Sequence, residues 1–486
     1  MSAAPGQSPT ASKMSHLVRS ELGGSAPTGQ GECVLSLLLM SDVQVMDSIS
    51  PARCEWVELL ADQPKWQALL PMHRPYEALT HWALAAHVER ARRDPVGPVS
   101  GRPHDLALFL GDNIDNAQHN EMQAFVDIVA GGTAQLSAFG GVHDVLPDWG
   151  NRPWPFWSPR AEVADRWKPQ GYPAVADFLE RASAPVLSQG LGFPWTALPG
   201  NHDLMRQGTA LPEPAIEAIA TGGDKLLLRP DSFDPADPLA LFVDNPAAFS
   251  RGGQRRIAAS GTRRALDKRA WLAAVVQHGA AGFDASHVRS GQTDAAIDIG
   301  DARILMLDTN HPLGDYQGSI GKAQLEWLDA RLAEVGRERG RFAVLASHHG
   351  SVSLTNMRGA DPQRQHADAL FAVAHRHPCV VAWLVGHRHL HQIAPRPGPN
   401  GGFWEISTGS LIDWPVQART LEFLRHPNGQ FELACTLQDH GASAGSLAHL
   451  HHALARRFAG VHCATMQGRP QDGTVRLLRP DMHLRN

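Results

Sequence analysis

Five short apolar runs, each broken at its C-terminal end by carboxylate, amide or imidazole side chains, constrain this chain more than any other feature. Val34–Met40 stops at Ser41-Asp42 and Leu106–Leu110 at Gly111-Asp112. The run before Gly200 stops at Asn201-His202-Asp203, "RFAVLAS" at His348-His349, and "VVAWLV" at Gly386-His387-Arg388-His389. Short apolar runs bounded by Gly and polar residues are the signature of buried strands. Helical patterns lie between several of them. "RPYEALTHWALAAHVERARRDP" has Pro75 at its start and Pro95 beyond its end, and "GKAQLEWLDARLAEV" repeats Leu325, Leu328, Leu332 and Val335 at helical spacing. Alternating strands and helices predict an α/β sheet whose ligands gather at the carboxyl ends of the strands.

A single Gly-Asp or Gly-Asn after a strand is ordinarily a turn, and a single His pair is ordinarily surface or satisfied core. "HLHH" at 449–452 reads in that way, on a solvated C-terminal helix. Asp, Asp, Asn, His, His and His after successive strands are another matter. Oxygen and imidazole donors together are what a pair of divalent cations needs, and turn chemistry does not select those residue types five times over. A carboxylate such as Asp42 at the mouth of an apolar strand is costly unless a cation sits on it.

Composition narrows the alternatives. The 486 residues are 43% hydrophobic and 19% charged, which suits a globular chain with a buried core. Lys and Arg number 44 against 49 Asp and Glu, a net charge of -5, and no long basic run occurs. That speaks against a nucleic-acid-coating surface and leaves room for a small phosphorylated ligand. Five scattered cysteines (Cys33, Cys54, Cys379, Cys435, Cys463) form no Cys-x-x-Cys pair, which suits reduced thiols in a cytoplasm. Residues 1–32 read as a flexible, Gly/Pro-rich leader with no signal-peptide core, and no stretch is long and apolar enough to span a membrane. The expected location is cytoplasmic.

In this order, Asp42-Val43-Gln44, Gly111-Asp112-Asn113-Ile114-Asp115, Gly200-Asn201-His202-Asp203, His348 and Gly386-His387-Arg388-His389 resemble the motif set of the calcineurin-like metallophosphoesterases, a superfamily that includes purple acid phosphatases and many bacterial phosphodiesterases. "LMLDTN", "GKAQLEWLDARL" and "FWEISTGSLIDWP" fit its later strands and helix, so the resemblance runs from about Val34 to Asp439. It implies an αββα sandwich and a dinuclear centre. Asp112 would bridge two metals, Asp42 and His389 would bind the first, and Asn201, His348 and His387 the second. His348 is favoured over its neighbour His349, which would stand behind it or face substrate. His202 would face the substrate as proton donor, its ring oriented by Asp203.

Gln44 departs from the pattern, since the superfamily usually places His there. Either Gln44 or Asp115 completes an oxygen-richer first site, which would lean toward Mn, Fe or Mg over Zn, or that site binds weakly. The implied activity is hydrolysis of a phosphomonoester or phosphodiester of a small substrate. The alternative is a degenerate relative that binds metal or a phosphorylated ligand with little turnover; a nuclease is disfavoured by charge. The expected organisation is a catalytic domain over residues 33–440, interrupted at about 117–190 and 205–300, followed by a helix and tail over 441–486. Both interruptions read as walls of the substrate cleft, where Trp154 or Trp157 could stack on a base or sugar.

Overall fold

Alternate residues of the second group of strands face two different cores, and this fixes the layering. In the computed structural model, which describes residues 16–24, 29, 31–136, 156–226, 229, 232–250, 254–462 and 468–480, Ile304 and Met306 pack toward one cluster and Leu305 and Leu307 toward another. Val344 and Ala346 likewise oppose Ala343 and Leu345. Side chains that alternate at period two and are apolar on both sides belong to a sheet covered on both faces. The first cluster joins this sheet to a second one through Leu37, Leu39 and Phe423. The other cluster joins it to the outer helices Lys322–Arg337 and Ala367–Arg376 through Leu325, Leu328, Leu332 and Leu370. Helix, sheet, sheet and helix make the αββα sandwich.

One sheet has seven strands, running from Leu17–Arg19 through Val475–Arg479, Phe431–Asp439, Gln417–Arg425, Glu32–Met40 and Leu106–Phe109 to Trp195–Ala197. The other has six, with Ala302–Leu307, Phe342–Ser347, Val380–Val385 and Phe403–Ser407 parallel at its centre. Glu32–Met40, Leu106–Phe109 and Trp195–Ala197 are parallel in the same way, with Leu39 opposite Leu108 and Leu108 opposite Thr196. All five donor-bearing breaks therefore fall at the carboxyl ends of parallel strands. The helices Thr80–Arg93 and His119–Ala130 cover the seven-stranded sheet, burying Leu84, Val88, Phe125 and Val129.

The structure redraws several expected boundaries. His119–Ala130 lies inside the first expected interruption but belongs to the sandwich, because Phe125 packs edge-on against Phe109 and Trp195 of the sheet. Lys268–Gln277 lies inside the second, yet buries Trp271, Leu272 and Val275 in the central core. Leu17–Arg19 is a strand rather than leader, and Val475–Arg479 returns to pair with it in parallel. Trp157 is wholly buried in a core with Trp167, Phe178 and Phe458, so it offers no stacking face to a ligand. Trp154 lies outside the described residues. Among those residues, no helix is long and apolar enough to cross a membrane.

The C-terminal helix, Leu447–His462, is packed rather than solvated: Leu454, Ala455 and Phe458 are buried against Tyr76 and Leu79. His451 is fully buried, sits edge-on to Tyr76 at 5.0 Å, and neither ring nitrogen has a hydrogen-bond partner. Burial and nearby imidazoles push its pKa down to about 3, and burial with His440 beside it does the same to His87. Depressed histidine pKa values mean that the folded chain binds fewer protons than the unfolded one below pH 6.5. Stability is then full above that pH and is lost as pH falls toward 3. His451→Phe should remove one such group, flattening the fall in unfolding free energy between pH 6.5 and 4 by ~1.4 kcal/mol per pH unit where the proton uptake is complete. Chemical denaturation across that range measures it, and identical slopes for variant and parent would exclude a neutral buried His451.

Candidate metal centre

Three of the five strand breaks are held in a backbone conformation that non-glycine residues seldom adopt. Asp42, Gln44, Asp112, His387 and His389 all have positive φ, between 45° and 68°, and make up five of the twelve such non-glycine residues among those described. Left-handed conformations cost on the order of 1–2 kcal/mol each, so five around one point require surrounding structure that enforces them. The backbone supplies it. Asp42 N–H donates to Gly111 O at 3.0 Å, Gln44 N–H to Asp112 O at 2.8 Å, and Gly386 N–H to His348 O at 3.0 Å. A side chain at Gly200 would collide with the Asp112 carboxylate, and one at Gly386 with the Ser41 hydroxyl. Both glycines are required by close approach.

The two strand-end carboxylates are half satisfied. Asp42 Oδ2 accepts from Ser41 Oγ at 2.5 Å and from His387 N–H at 3.0 Å, while its Oδ1 is buried without a hydrogen-bond partner. Asp112 Oδ1 accepts from His202 N–H at 2.8 Å, while its Oδ2 is likewise buried and unpartnered. Gln44 Oε1 is a third buried oxygen without a donor. Such atoms are costly in a protein interior unless something positive meets them.

The imidazoles show what that would be. His348 Nδ1 lies 2.8 Å from Leu110 O, a pure acceptor, so the proton sits on Nδ1 and the Nε2 lone pair points outward. That nitrogen is 3.1 Å from Asp112 Oδ2 and 3.0 Å from Asn201 Oδ1. Asn201 is fixed in this orientation because its Nδ2 donates to Gly208 O at 2.9 Å. His387 Nδ1 lies 3.1 Å from the same amide oxygen. On the other side His389 Nδ1 donates to Asp413 Oδ2 at 2.5 Å, and its Nε2 is 3.2 Å from Asp42 Oδ1. Lone pairs facing lone pairs at 3 Å repel unless a cation or a proton lies between them. Asp42 meets His389, Asp112 meets His348, and Asn201 meets His348 and His387, with Gln44 lining the same cleft; oxygen and imidazole donors so gathered fit divalent ions.

His349 stands apart from this set although its ring packs 4.5 Å from that of His387. Its Nδ1 is bonded to Thr309 Oγ1 at 2.9 Å and its Nε2 to Tyr316 O at 3.1 Å, which leaves no nitrogen for a metal. Two further expectations are corrected. Asp203 does not touch His202; its carboxylate accepts from the backbone N–H groups of Gly200 at 2.7 Å and Asn113 at 3.1 Å, bracing the two turns against each other. The ring of His202 is held by Asp115 instead, whose Oδ1 and main-chain O lie 3.2 and 3.0 Å from His202 Nδ1. The other oxygen of Asp115 is paired with Arg53 and accepts from Asn116 Nδ2 at 2.9 Å. With both oxygens engaged, Asp115 is not placed to complete the first site, and Gln44 is the residue with an uncommitted oxygen.

A cleft of about 460 Å³ opens over these groups, floored by Gln44, Asp112, Asn201, His202, His387 and His389. Leu69–Met72 form one wall, and Tyr316 and the half-exposed Val352 the other. Residues 54–72 that build the first wall are anchored by Trp56 and Trp66 packed on Phe249 from the second interruption. Sequence reasoning gave no role to Arg53, Arg74, Tyr76 or Asp413. Arg53 lies in a segment with no motif, Arg74 and Tyr76 open a stretch that reads only as a helical pattern, and Asp413 lies within "SLIDWP" with nothing in its spacing to mark it.

Burial works against every charge here, yet the carboxylates outweigh it for three imidazoles, those of His202, His348 and His389. Asp112 and Asp42 lift the pKa of His348 to about 9, and Asp42 and Asp413 lift that of His389 to about 10. In the metal-free chain, protons thus occupy the positions suited to cations. Both groups are protonated at pH 7.5, so metal binding must expel protons. Calorimetric titration with Mn²⁺ in two buffers of different ionisation enthalpy should show a buffer-dependent heat corresponding to at least one proton released per chain. A heat independent of the buffer would contradict this arrangement.

No protein-family profile matches the chain. It is 33% identical over 103 residues to a probable cyclic nucleotide phosphodiesterase of Synechococcus sp. (strain WH7803), a match covering 21% of this chain and 38% of that protein's length. Among solved structures it aligns with a dimetal phosphatase from Danio rerio at 14% identity and a TM-score of 0.37, over 84% of this chain and 97% of that one. Two packed sheets between helices, with Asp, Asn and His donors at the ends of parallel strands, make the αββα sandwich that the motif resemblance implies.

Proposed function

We propose that the chain hydrolyses a phosphate ester of a small substrate with the help of two divalent cations. The observation that carries this reading is the convergence of unpartnered buried oxygens, on Asp42, Asp112 and Gln44, with the outward lone pairs of His348 and His389. The cations, when bound, supply an acidified water as nucleophile and neutralise charge on the phosphoryl group. The similarity to a probable cyclic nucleotide phosphodiesterase of Synechococcus supports an ester-hydrolysing chemistry and puts a phosphodiester among the substrates to test.

The chain's own residues do the rest. Asp112 shares its charge between both positions, and neutral imidazoles keep the pocket electropositive enough to admit a phosphate. His202 lines the cleft beside them with its Nδ1 held at Asp115. Burial lowers its pKa, but Asp112 and Asp115 overcome this and raise it above the ordinary histidine value. It is therefore suited to hold a proton at neutral pH and deliver it to a departing alkoxide. Gln44 gives the first site an oxygen where an imidazole is usual, which favours Mn, Fe or Mg over Zn.

Hydrolysis of para-nitrophenyl phosphate and its bis-ester should be abolished by chelation and restored by Mn²⁺. Full turnover by chain shown to be metal-free would overturn the reading. Metal bound without turnover of either ester would leave a degenerate binding protein as its replacement.

The proton-donor role has its own test. His202→Ala should keep both metals and lose roughly 10²–10⁴-fold in turnover on alkyl phosphates, and much less on para-nitrophenyl esters, whose leaving group needs little protonation. Asp115→Asn should produce a milder form of the same defect, whereas Asp203→Asn should act through stability. Equal loss on both kinds of ester would remove His202 from proton transfer.

Gln44→His should tighten the first ion and shift preference toward Zn. Unchanged metal content and selectivity in both Gln44→His and Gln44→Ala would show that residue 44 takes no part.

A further inference from the structure

Behind His389, on the side away from Asp42, lies a fully buried carboxylate with four donors around it. Asp413 Oδ1 accepts from Arg74 Nε at 2.7 Å and from the Tyr76 hydroxyl at 2.5 Å. Its Oδ2 accepts from Arg74 Nη2 at 3.0 Å and from His389 Nδ1 at 2.5 Å. With two donors on each oxygen the group cannot turn. The loop that carries it is tied to the metal centre's own backbone: Ile412 N–H donates to Asp42 O at 3.2 Å and Leu411 N–H to Ser41 O at 3.0 Å. Ser410 Oγ donates to Asp42 O at 3.0 Å and accepts from Asp413 N–H at 3.0 Å. One short segment thereby fixes the carboxylate in front of His389 and the carboxylate behind it.

We propose that Asp413 is a positioning residue that holds His389 in the Nδ1–H tautomer, and so supplies the first cation with the basic nitrogen that Gln44 does not. The inference rests on the metal-dependent reading above. Only an acceptor can face Nδ1 here, because Arg74 and Tyr76 already fill the donor positions around Asp413. In the neutral ring that a cation requires, the remaining proton therefore stays on Nδ1 and the Nε2 lone pair faces Asp42 Oδ1, 3.2 Å away. An anionic partner behind a ligating imidazole also makes it a stronger donor. His389 Nε2 is the imidazole nitrogen in contact with Asp42 Oδ1, and Gln44 brings no second one, so the first site depends on His389 more than one with His at position 44 would.

The test is Asp413→Asn, which keeps shape and the oxygen that accepts from Arg74 Nε and Tyr76 but turns an N–H toward His389 and Arg74 Nη2. As in the established case of a triad Asp changed to Asn, the imidazole is forced into the other tautomer. Here that places a proton on Nε2, facing Asp42. Mn²⁺ titration followed by electron paramagnetic resonance counts bound ions and their affinities without reference to turnover. The wild type should bind two. Asp413→Asn should retain one at wild-type affinity and weaken the other by about 10–100-fold. Tyr76→Phe, which removes one hydroxyl and leaves the Arg74 pair, should weaken that same ion by a smaller factor. It decides the matter alone if Asp413→Asn does not fold.

Two wild-type affinities in Tyr76→Phe, or in a folded Asp413→Asn, would overturn the proposal while leaving the metal-dependent reading intact. Equal weakening of both ions would overturn it too, reducing Asp413 to a structural plug. A wild type that binds no metal would instead remove the reading on which the proposal stands.

Discussion

Two buried carboxylate oxygens without donors, Asp42 Oδ1 and Asp112 Oδ2, are the constraint around which this molecule is arranged. Leaving such atoms unmet in an apolar interior costs several kcal/mol each, on the order estimated for a buried charge that has lost its partner. In the metal-free chain the protonated rings of His348 and His389, 3.1 and 3.2 Å from these oxygens, offset that cost. Leu110 O and Asp413 orient the same rings so that, once they lose those protons, their lone pairs add to the electron-rich centre. A fold that concentrates acceptors in this way, with five residues of left-handed backbone, is built around positive charge.

Two arginines extend that logic outward. Arg53 backs Asp115, which holds His202, and Arg74 backs Asp413, which holds His389. Arg53 also pairs with Glu55 at 3.0 Å, and Glu55 with Lys225 at 2.8 Å, all three wholly or nearly buried. Lys225 comes from the segment after the Asn-His motif, so that segment anchors the rear of the site as well as walling the cleft. Buried pairs of this kind add little net stability relative to apolar packing, but losing one partner is severe. Their value here is that His202 and His389 are each held from one side only, leaving the other nitrogen for chemistry.

Legibility in the sequence followed the physics of each feature. Strand ends bearing Asp42, Asp112, Asn201, His348, His387 and His389 were readable because donor type and apolar run coincide, and the helix at 322–337 because its period is regular. The αββα layering came through resemblance rather than from the strands themselves. The residue that orients His202 was misread, since adjacency in "GNHD" suggests Asp203, while the tight turn aims that carboxylate at backbone amides of two neighbouring loops. The choice between Gln44 and Asp115 could not be made from spacing, because it depends on Arg53 arriving from a segment that carries no motif. His451 was read as solvated for a similar reason: the helix is polar enough to float, and only Tyr76, 375 positions earlier, shows that it does not. Asp413 carried no local signal at all.

The central claim is that this chain holds two metal ions between the two sheets' strand ends. Crystals grown with Mn²⁺ and measured at its absorption edge test it most directly. Two anomalous peaks are expected, one beside Asp42, Gln44 and His389 and one beside Asn201, His348 and His387, with Asp112 touching both. Peaks elsewhere, or none at these side chains under saturating metal, would contradict the account.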